Sequence, residues 1–141
     1  MAQSEVYNLY LKYSRETMSY RIRLAQIAYK KLENALKVKF DSWNAFNGVI
    51  SFSVMCLCGD GHLSENDYQI FKSISGCSPT YRELCMTAND VSKNYSLISR
   101  NIKSCGQDCI GYALHLASVI FACKGSYGRD EEAIVYSLTS Y

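Results

Sequence analysis

A chain of 141 residues with 48% hydrophobic and 20% charged side chains is long enough for one domain with a real core and has a globular composition. Its net charge of +2 is too small to argue for nucleic acid, and no apolar run approaches the ~20 residues of a membrane-spanning helix. Seven cysteines without a C-x-x-C spacing, behind a start that lacks a signal-peptide pattern, favour free core thiols and a cytoplasmic location.

Residues 4–39 contain neither Gly nor Pro. Apolar residues recur there at spacings of three and four, from Val6, Leu9, Tyr10 and Tyr13 through Tyr20, Leu24, Ile27 and Ala28 to Leu32, Ala35 and Leu36. That is one face of a helix, either unbroken or broken near Ser14 or Ser19. Unbroken, it would run about 50 Å, longer than a domain of this size, so a bend or a partner chain is expected. The region is basic, with Lys12, Arg15, Arg21, Arg23, Lys30, Lys31, Lys37 and Lys39 against three acids. A solvated helix face is favoured over peripheral contact with an anionic membrane or an acidic partner.

Asp41 and Ser42 offer an N-cap for a helix that is apolar almost all round, from Trp43 to Leu57, and so is expected at the centre. Asp60-Gly61 marks a corner. Ser64 caps the next helix, which runs to Ser75. Pro79 and Thr80, with Glu83 three after Thr80, open another helix towards Tyr95. Ser96 to Cys105 continues helical. After Gly106 comes a second strongly apolar helix, Ile110 to Cys123, and then a loop over 124–128. Asp130, Glu131 and Glu132 open the last helix, as the helix dipole prefers. No alternating strand pattern is present, so the fold class is all-α, a compact bundle of roughly six to eight helices.

Shifting the chain by 65 positions lays Ser53-Val54 on Ser118-Val119, Cys58 on Cys123, Asp60-Gly61 on Gly125-Ser126 and Asp67 on Glu132. Each unit reads as an apolar helix, a Gly-containing corner and an acid-led helix. The single domain 1–141 thus divides into a basic N-terminal region (1–40), a first helix–corner–helix unit (42–77) and a second, degenerate unit (107–140).

The run Asp60-Gly61-His62-Leu63-Ser64-Glu65-Asn66-Asp67 resembles the corner motif of the TerB-like family, D-G-x-[apolar]-S-x-x-[acid]. Asp60, Gly61, Leu63, Ser64 and Asp67 match it. Asp67 stands for the commoner Glu, and only Glu132 matches well at the second corner. The resemblance covers Val49 to the C-terminus. It implies an all-helical fold, divalent-cation binding by clustered acids, and a sensing or scaffolding role in tellurite resistance or stress response, without catalysis.

The residues themselves nominate few other sites. Asp60 and Asp67 are the candidate ligands for a weak calcium or magnesium site, with Glu132 at the degenerate corner. Against this stands a bland alternative, in which Asp60 shapes the turn and Asp67 favours its helix N-terminus. An EF-hand register would put Cys56 and Cys58 at calcium ligand positions, which calcium rejects. Cys56, Cys58 and His62 lack a fourth zinc ligand. His115 reads as a hydrogen-bonded core residue. No nucleophile–base pair or phosphate loop can be named, so no enzyme is expected. Two readings remain: a cation-tuned TerB-like module acting through protein partners, and a metal-independent helical adaptor or homo-oligomer built on the N-terminal helix.

Overall fold

A computed structural model of the protein describes residues 3–140. Those residues form eight helices and no strand: α1 (Gln3–Ser14), α2 (Met18–Leu36), α3 (Ser42–Leu57), α4 (Glu65–Ser75), α5 (Tyr81–Lys93), α6 (Tyr95–Lys103), α7 (Gln107–Lys124) and α8 (Arg129–Thr139). None is long and apolar enough to cross a membrane.

The two most apolar stretches become the centre. Phe52 to Leu57 on α3 and Leu116 to Cys123 on α7 are buried without a gap, so the C-terminal parts of both helices are covered on every side. A helix buried all round has no polar face, and the two serines within these runs are satisfied locally. Ser53 donates to Val49 O and Ser118 to His115 O. The other helices lay one stripe against this pair. α1 and α2 both run along α7, and α2 also meets α3 and α4; α5 packs on α3, while α6 and α8 close the far side of α7.

The basic N-terminal region breaks just after Ser14, where Thr17 caps α2 by accepting the Tyr20 N–H. The break folds both halves back onto their own domain. Val6, Tyr13, Ala25, Ala28, Leu32 and Leu36 enter the core, so most of the apolar stripe is used within the chain, whereas Tyr20 and Ile27 of the expected stripe are 45% and 49% exposed. Arg21 fastens the bend. Its guanidinium donates to Tyr13 O and Ser14 O at 2.8 Å and to Ala122 O at 3.3 Å. It thereby adds a donor at the last carbonyls of α1, where Tyr13 O also accepts the Glu16 N–H, and ties them to α7. Tyr13 and His115 meet across the same interface, hydroxyl to Nε2 at 2.9 Å. Burial and the nearby Lys31 lower the His115 pKa, so the neutral ring is favoured there.

Candidate functional site

The chain turns from a central helix into an outer one at two places, and both corners line one polar pocket of about 340 Å³. The first corner joins α3 to α4. Gly61 holds φ +84°, and its N–H returns to Cys58 O at 2.9 Å. Asp60 Oδ1 accepts the His62 N–H at 2.9 Å, an Asx turn. Leu63 inserts into the core, and its carbonyl accepts the Tyr81 hydroxyl at 2.6 Å. Ser64 and Asp67 then form a reciprocal capping box at the start of α4.

The second corner joins α7 to α8. Gly125 holds φ +75° and donates to Phe121 O. Tyr127 takes the plugging role of Leu63, packing edge-on against Tyr7 and Phe121. Glu131 Oε1 accepts the Gly128 N–H at 2.7 Å, so the cap is closed from the acid side alone. Glu131 is 7% exposed, and Lys124 Nζ lies 3.1 Å from its Oε2. The same ammonium points at Leu57 O, 3.4 Å away at the end of α3, and covers the Phe121 ring. The last carbonyls of a helix carry partial negative charge, so a cation suits that end.

Lys124 therefore joins the two corners from between them. Its ammonium bridges the C-terminus of α3 and the acid that caps α8. Counting back from the capping acids lays Gly61 on Gly125, Leu63 on Tyr127, Ser64 on Gly128, and Asp60 on Lys124. A carboxylate in one corner corresponds to an ammonium in the other. By this count Glu131, not Glu132, answers to Asp67. Glu132 is exposed and lies outside the pocket lining. Aligning the apolar helices placed the acid one residue too far, because the second corner reaches its cap one residue sooner. Lys124 and Glu131 were missed for that reason. Their only sequence signal is a lysine ending an apolar helix before Gly125, with Gly128 three before Glu131.

Asp60, His62 and Asp67 do line the pocket, beside Asp130 and Glu131. They do not form an ion cage. Among the described residues no three His, Cys, Asp or Glu side chains are grouped to hold a metal. Calcium wants six to eight oxygens, whereas here Asp60, Asp67 and Glu131 each spend an oxygen on a turn or cap N–H. The residues present do not fit a resident divalent cation.

The thiols are equally poor ligands. Burial raises Cys56 far above the usual thiol range. Burial, with the Asp67 and Asp60 carboxylates, pushes Cys58 up to about 12. Zinc needs thiolates, and Cys58 instead points at Val54 O, while His62 faces solvent. Burial likewise raises Cys109 to about 12 and Cys123 to about 11, so neither is a ready nucleophile. No protein-family model matches the chain, and neither curated proteins nor solved structures give a match that would place it in a family.

Proposed function

We propose that the chain is a non-enzymatic helical module with two related corners of TerB-like organisation, locked by its own lysine and acting through a protein partner. The observation that carries this reading is Lys124, whose ammonium reaches Glu131 of one corner and Leu57 O of the other. A charge held there by the chain needs no ion from solution. The metal-independent adaptor is thus favoured over the cation-tuned one. Tellurite resistance and stress response rest on the resemblance alone.

Two further observations support a partner-binding role. Four of the seven thiols, Cys56, Cys58, Cys109 and Cys123, are buried with raised pKa values, and His115 is engaged by Tyr13. Val38 and Trp43 are 80% and 69% exposed on and beside the α2–α3 connection, and Tyr20 and Ile27 on α2 are half-exposed as well. Large apolar side chains left in water beside a packed core favour a contact surface.

Thermal unfolding of metal-stripped protein with millimolar calcium, magnesium or manganese tests the lock. The expected result is no shift in the wild-type protein. A ligand at 100 times its dissociation constant adds about 2.7 kcal/mol, so binding would be plain. A rise abolished by Asp60→Ala would overturn the lysine-lock reading in favour of an ion. Self-association that Trp43→Ala removes would identify a second copy of the chain as the partner.

A further inference from the structure

A larger cavity, about 530 Å³, lies between the end of α2, the first half of α3 and the α5–α6 junction. It shares no lining residue with the paired corner. Its volume is within the range of small-molecule sites. The apolar part of the wall comes from Leu36, Phe40, Val91, Leu97, Ile98 and Ile102; the polar part from Asn44, Asn47, Ser51, Asp90, Asn94 and Asn101.

The polar part has a direction. Asn44 Nδ2 donates to Asp41 Oδ2 at 3.2 Å, Asn47 Nδ2 to Trp43 O at 3.1 Å, and Asn94 Nδ2 to Asp90 O at 2.9 Å. Each partner is an acceptor, so the amide nitrogen must face it, and the amide oxygen is left over to accept. Asp90 adds a carboxylate that makes no ion pair among the described residues. No Lys, Arg or His lines the cavity. An anion entering it would meet oxygens and a negative charge; a cation would meet partners.

The placement is also locally unfavourable without such a ligand. Asp90 lies in the last turn of α5, where the helix dipole disfavours a carboxylate. Four of the chain's eight asparagines gather on this one wall: Asn94 is the cap between α5 and α6, a position asparagine suits, and Asn44, Asn94 and Asp90 line its solvent-exposed rim.

We infer that this cavity binds a small organic cation, an ammonium or guanidinium group carried on a short apolar chain. The carboxylate of Asp90 and the asparagine oxygens receive the N–H donors, and the apolar wall covers the chain. The inference is independent of the lysine lock between the corners.

Trp43 supplies the readout, because it is the only tryptophan and its carbonyl holds Asn47 in the cavity wall. Hexylamine and hexanoate, matched in chain and opposite in charge, are titrated into the intact protein while Trp43 fluorescence is followed. Hexylamine is expected to saturate and hexanoate is not. Asp90→Asn should weaken hexylamine about tenfold while leaving the unfolding midpoint equal or higher. Leu97→Arg, at a half-exposed rim position, should abolish binding by laying the chain's own guanidinium in the cavity. Equal binding of hexanoate would overturn the inference. So would hexylamine binding that neither substitution changes, or no saturable response at millimolar concentrations.

Discussion

The first corner is closed by exposed turn and cap hydrogen bonds to the Asp60 and Asp67 carboxylates; the second is closed by a buried ion pair. In the first, an Asx turn, a serine cap and Leu63 do the work, with α5 behind them through Tyr81. In the second, no side chain at Gly128 can cap α8. Glu131 must do so alone, and burial of that carboxylate calls for a cation. Lys124 is that cation, and Tyr127 is held from the α1 side by Tyr7 and Tyr10. The same turn can thus be built with or without a buried ion pair, and the two solutions should fail under different insults.

The largest difference should come from removing the cation. Lys124→Met leaves Glu131 buried and unpaired, which is expected to lower stability by about 3 kcal/mol in denaturant unfolding. The double change Lys124→Met with Glu131→Gln should recover most of that loss, since it removes the stranded charge. Asp60→Ala, the equivalent position in the first corner, should cost under about 1 kcal/mol for one lost turn hydrogen bond. Equal losses at Asp60 and Lys124 would erase the distinction between the corners.

The two corner glycines sharpen the contrast in the other direction. Both Gly61 and Gly125 hold positive φ, so alanine at either costs about 1–2 kcal/mol in backbone strain. Only Gly61 is crowded as well. A Cβ there would lie 2.9 Å from Ser92 Oγ, which is itself bonded to Asn89 O, whereas a Cβ at Gly125 meets nothing within 4 Å. Gly61→Ala should therefore lower the unfolding midpoint more than Gly125→Ala. Ser92→Ala should return part of the difference.

The helical architecture was legible because its signals are local. Apolar runs over Trp43–Leu57 and Ile110–Cys123 mark the central helices; Ser64 and Thr80 cap the outer helices α4 and α5 as expected, with a capping box at each. Tyr13 enters the core and His115 is hydrogen-bonded, as expected, although His115 is only half-buried and Tyr20 of the same stripe is exposed; that Tyr13 and His115 touch is a long-range fact no periodicity contains. The break after Ser14 was one of two positions offered, and the decisive interaction, Arg21 reaching Ala122, lies about a hundred residues away in sequence. The shared pocket was only half legible. Its acids stand in the sequence, but the ammonium between them looks like any lysine at a helix end. The acceptor-lined cavity draws on four helices and had no signature at all.

The smallest expected effect separates the corner from the rest of α7 as pH falls. His115 sits on the same helix as Lys124, and burial with Lys31 lowers its pKa in the folded protein. In the window below the ordinary value of 6.5, the unfolded chain therefore binds more protons than the folded one, and stability declines as pH drops towards the folded pKa. Part of any acid destabilisation thus belongs to the Tyr13–His115 contact and not to the corner. His115→Gln keeps a hydrogen-bonding side chain without the titration, so its unfolding midpoint should vary less with pH between 6.5 and 5 than the wild-type midpoint does. Comparing Lys124→Met with its parent in that His115→Gln background then reads the buried pair free of the histidine. Identical pH profiles for wild type and His115→Gln would place the acid sensitivity elsewhere, with the carboxylates of the paired corner the next to test.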